Sequence, residues 1–60
     1  MKKNRIKVLD DLARARSAMV IAAISIRQNT GADCHVHADQ LDGAADMVQN
    51  WIENIRKELS

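Results

Sequence analysis

At 60 residues, 47% hydrophobic, 28% charged and with a net charge of +1, the chain is expected to form one small domain, residues 1–60. A single cysteine, Cys34, excludes an internal disulfide and fits a reducing compartment. With no Pro, Phe or Tyr and one Trp, the composition favours helix and disfavours sheet.

The basic start (Lys2, Lys3, Arg5, Lys7) runs into Asp10 and Asp11, not into an apolar segment with a small-residue cleavage site. No secretion signal is expected, and a cytoplasmic location follows. A first helix is predicted over about residues 4–28. Val8, Leu12, Ala15, Met19, Ala22 and Ile26 advance by alternating steps of four and three, one continuous helical seam. Ile6, Leu9, Ala13, Val20 and Ala23 trace a second seam interrupted by Arg16, and Ala18 and Ile21 open a third face in mid-helix.

From Ser17 to Ile26 no residue is charged, and the apolar ones cover almost the whole circumference. Such a segment calls for burial on several sides, yet it has about half the length that crosses a bilayer. Two helices of this size also bury too little for independent stability, and no disulfide set is present to compensate. A second copy of the chain is the expected remedy.

Asn29-Thr30-Gly31 is predicted to end the first helix, with Gly31 in the left-handed conformation common at such ends. A loop over about residues 29–37 follows. The second helix is predicted from about Ala38 to Leu59. Leu41, Ala44, Ala45, Val48, Trp51, Ile52, Ile55 and Leu59 form its stripe, and Gln40, Gly43, Asn50, Asn54 and Lys57 its polar back. Asp39 is the better capping residue type. Capping at His37 is preferred because it lets Val36 and Leu41 form a hydrophobic staple. Gly43, Ala44 and Ala45 are read as a small-residue notch for a neighbouring helix.

Charge supports an antiparallel pairing. Residues 1–16 carry six cations and two anions, and residues 17–60 carry three cations and six anions. Folded back, the chain brings Arg27 towards Asp39, Asp42 and Asp46, and its basic start towards Glu53 and Glu58. Asp39 and Asp42 are also expected to sit at the positive end of the second helix.

The expected architecture is therefore all-α: a two-helix antiparallel hairpin dimerising into a four-helix bundle. The expected dimer interface is Leu12, Ala15, Met19, Val20, Ala22, Ala23, Ile26, Val48, Trp51, Ile52 and Ile55. Trp51 is read as bundle core, although tryptophan is also enriched at binding hot spots.

The expected role is a small non-enzymatic regulatory or adaptor protein that acts as a homodimer by binding another protein. Chains this short are common among accessory proteins of phages and plasmids. Neither a small-molecule substrate, a cofactor nor a membrane partner is expected. A nucleic-acid-binding regulator is the alternative. Lys2, Lys3, Arg5, Lys7, Arg14 and Arg16 supply cations for phosphates, but they do not share one helical face and no aromatic is interleaved for stacking. A further alternative is a metal- or redox-responsive dimer acting through Cys34, His35 and His37. These residue types suit zinc, but the spacing lacks the paired arrangement of zinc fingers. Cys34 with His35 also makes a weak nucleophile pair, without an orienting group or an oxyanion pocket.

Overall fold

The computed structural model describes residues 2–59 of the chain, and the side chains from Asn4 to Leu59. Two helices, α1 (Lys2–Asn29) and α2 (His35–Leu59), are joined by a single 3-10 turn at Ala32–Cys34. Among the described residues there is no strand. The molecule is a rod of 45 × 14 × 12 Å with a radius of gyration of 14.0 Å. A compact chain of this length has a radius of about 10 Å. One helix laid against another, with nothing behind either, produces that elongation.

Side chains stop α1. The Thr30 amide donates to the Ile26 carbonyl at 3.0 Å, and the Thr30 hydroxyl donates to the same oxygen at 2.6 Å. Asn29 Nδ2 donates to the Ser25 carbonyl at 2.9 Å. The Ile26 carbonyl keeps its ordinary i→i+4 backbone partner, so the two side chains add further donors to the last helical turn. Gly31 is extended, at φ −77° and ψ 172°, not left-handed as the sequence suggested, because it opens the 3-10 turn that follows. The Cys34 amide then donates to the Gly31 carbonyl and the His35 amide to that of Ala32, closing the turn.

The second helix starts three residues earlier than expected. Its α-conformation begins at His35 because the 3-10 turn feeds directly into it. His37 is therefore a helical residue and not a cap, and Val36 is exposed and staples nothing. Asp39 and Asp42 lie beyond the first turn of α2, which contains no acid. Their role is with Arg27, not with the helix dipole.

The seam between the helices is narrow. The buried apolar residues are Ala23 of α1 and Ala38, Ala45, Val48 and Ile52 of α2. Half-buried Leu12, Met19, Ile26, Leu41, Ile55 and Leu59 flank them. The early start of α2 brings Ala38 onto the seam, where its small side chain lets the backbones approach. Ion pairs tie both ends. Arg5 meets Glu58 at 2.7 Å, and Arg27 Nη2 reaches both Asp39 and Asp42 at 2.7 Å. These contacts establish the antiparallel course.

Candidate functional site

Successive residues of an α-helix point about 100° apart, which sorts the side chains outside the seam. When two antiparallel helices face each other, residues displaced in the same rotational sense from their seams fall on the same side of the pair. On one side, half-buried Ala15 and Ala22 with exposed Ala18 lie beside Ala44, Met47, Trp51 and Ile55 of α2. Between Asp11 and Glu58 this side carries no charged residue. On the other side, Val20 and Ile24 of α1 border Asp42, Asp46, Gln49 and Glu53 of α2. Ile21 points away from α2 altogether.

Exposure confirms how little of this surface is satisfied within one chain. Ile6 is 63% exposed, Ile21 66%, Ile24 47%, Met47 54% and Trp51 49%. Val8 and Val36 are exposed as well. There are thus two apolar surfaces: a broad one contributed by both helices, and a shorter ridge on α1 alone, built of Ile21 and Ile24 beside half-buried Val20 and edged by Asp42 and Asp46 of α2; Ile6 stands apart near the start of α1.

The sequence-derived interface residues divide accordingly. Ala23, Val48 and Ile52 are buried inside the hairpin, while Leu12, Ala15, Met19, Val20, Ala22, Ile26 and Ile55 are half-buried and Trp51 is exposed. Sequence reasoning did not place Ile6, Ile21, Ile24 and Met47 among the interface candidates. The signal was present in Ile21, which opens a third face in mid-helix. Gly43, Ala44 and Ala45 do not form one notch. Being consecutive, they point to solvent, to the broad side and to the seam respectively, and the space a Gly43 Cβ would enter is open.

The basic candidates are largely engaged with acids. Arg5 pairs with Glu58, Lys7 with Asp11 at 2.9 Å and Arg14 with Asp10 at 3.0 Å. The Lys7 hydrogen bond, then its charge, holds the Asp11 carboxyl below the ordinary carboxylate range, and the same contact raises Lys7. The hydrogen bonds that Arg27 donates to Asp39 and Asp42 likewise raise Arg27. Arg16 is exposed. The Lys2 and Lys3 side chains lie outside the described residues.

At the turn, Cys34 and His35 are half-buried and His37 is exposed. His35 and His37 are two residues apart on one helix and diverge by about 200°. Among the described residues no three His, Cys, Asp or Glu side chains converge as a metal site, and no pocket opens. No helix among them is long and apolar enough to cross a membrane.

Comparison of the chain with protein-family models, with curated proteins and with solved structures finds no match.

Proposed function

We propose that the chain is a small non-enzymatic cytoplasmic adaptor that works as a homodimer, two hairpins forming a four-helix bundle that binds another protein. One observation carries the reading. The hairpin buries three alanines, one valine and one isoleucine, and leaves seven large apolar side chains exposed. A chain this small has little stability to spare, and neighbouring exposed apolar side chains such as Met47 and Trp51 mark interaction sites. A second copy covers the broad side shared by both helices. The ridge of Ile21 and Ile24 remains for the partner. Asp46 on its α2 border, where Asp42 is already held by Arg27, suits an amphipathic helix whose apolar stripe is flanked by Lys or Arg.

The engaged state of Arg5, Lys7 and Arg14 favours a protein partner over phosphates. The test has two arms. Sedimentation equilibrium at micromolar concentration is expected to give twice the 6.7 kDa chain mass, whereas a compact, cooperatively melting monomer rejects the dimer. A photo-crosslinker at Ile24 is expected to capture a protein carrying a basic amphipathic helix, with capture abolished by Ile21→Asp. Steeply salt-dependent retention on heparin, lost on changing Lys2, Lys3, Arg5 and Lys7 to Gln, would support the nucleic-acid alternative instead.

A further inference from the structure

The end contacts of the hairpin fix which residues of the two helices lie level with one another. Arg5 opposite Glu58 and Arg27 opposite Asp39 and Asp42 place α1 and α2 residues at equal height when their numbers sum to roughly 66. On the broad apolar side, Ala15 is therefore level with Trp51, Ala18 with Val48, and Ala22 with Ala44. The surface is lopsided. The α1 half is lined with alanines, and the α2 half raises two large exposed side chains, Met47 and Trp51.

Two such surfaces related by a two-fold axis can meet in two ways. With the axis across the rod, α1 lies on its own copy and α2 on its own copy. Alanine then faces alanine on one side of the bundle, and the large side chains of the two α2 helices meet on the other, so the two sides differ in thickness. With the axis along the rod, α1 of each copy lies on α2 of the other. The alanines at positions 15 and 18 then receive Trp51 and Met47 of the partner. Facing positions that alternate large and small fill a bundle at native density.

We propose that the second copy seats on the Ala15–Trp51 side with its two-fold axis along the rod, so that each α1 packs on the partner's α2 and both inter-helix turns lie at the same end. This arrangement rests on the dimer proposed above, and its test separates the two. Cys34 is the only cysteine and lies in the turn, so a nitroxide attached there reports the distance between the two turns by pulsed electron spin resonance. Since Cys34 is half-buried, the pair Cys34→Ser with Ala32→Cys moves the label to an exposed position of the same turn.

The expected result in both labelled proteins is a single distance of about two helix spacings, near 20 Å. A distance approaching the 45 Å length of the rod, or two populations, overturns the lengthwise arrangement while leaving the dimer standing. Absence of any dipolar coupling, together with a monomer mass in sedimentation, overturns the dimer itself and the arrangement with it.

Discussion

The two helices have nearly the same length and opposite habits. α2 gathers its buried residues on one stripe, Ala38, Ala45, Val48 and Ile52, with half-buried Leu41, Ile55 and Leu59 beside it. Its opposite side carries Gln40, Asn50, Asn54 and Lys57, with exposed Val36 and Met47 among them. α1 distributes apolar residues around its circumference and buries only Ala23 fully. α2 behaves as the amphipathic half of a hairpin, whereas α1 leaves apolar side chains uncovered on several of its sides. The difference separates what holds one chain together from what the chain offers to others.

That contrast can be broken most sharply at Ile52. Ile52→Ala is expected to cost about 2–5 kcal/mol and abolish cooperative melting followed by circular dichroism at 222 nm. Ile21→Ser on α1 is expected to change stability by less than about 0.5 kcal/mol while removing partner capture. Equal losses at the two positions would show that the hairpin depends on the outer face of α1 as heavily as on the stripe of α2.

A second contrast lies within α2 itself. Trp51→Ala removes a large side chain from the broad side without opening the seam. Its expected effect is at least a tenfold weaker dimer, about 1.4 kcal/mol, read from the concentration dependence of sedimentation. An unchanged dimer would move the interface elsewhere. Gly43→Ala acts oppositely. Its new Cβ enters open space on a helix interior, so a gain of about 0.5–1 kcal/mol is expected, seen as a higher melting temperature. A loss there would mean that a helix from outside the hairpin occupies that space.

The smallest expected effect concerns the start of α1. Asp11 is lowered by Lys7, so its contribution is present above the ordinary aspartate value of about 3.9. It is lost as pH falls through the lowered value. Lys7 is raised by Asp11, so its contribution is complete below the ordinary lysine value of about 10.4 and is lost as pH rises through the raised one. Helicity of the first turns, followed by amide NMR shifts, is expected to be flat between these limits and to decline outside them. Asp11→Asn should remove both declines.

Much of the fold was legible in the sequence because it rests on period and charge. The α2 stripe follows from the spacing of Leu41, Val48, Ile52 and Ile55. The pairing of Arg27 with Asp39 and Asp42 follows from the opposite signs of the two halves of the chain. The turn was less legible. Thr30 and Asn29 each offer a side-chain stop for α1, and Gly31 drew attention from them because a glycine after a helix so often ends it. Ala38 was absent from the expected core because a lone alanine at an element boundary carries no periodic signal. The division between two apolar surfaces was the least visible. It depends on which flank of α1 falls beside the carboxylates of α2, and only the paired geometry decides that.

The Arg27 fork has a mechanical meaning. Three of the five buried seam residues are alanines, so few large side chains interlock there. Displacement of one helix past the other by a turn would be opposed by Val48 and Ile52 and by the contacts at the tips. The guanidinium clasped between two carboxylates one turn apart works as a detent, with Arg5 and Glu58 as its counterpart at the far tip. Concentrated salt, by loosening both, is the condition under which axial slippage should first be detected.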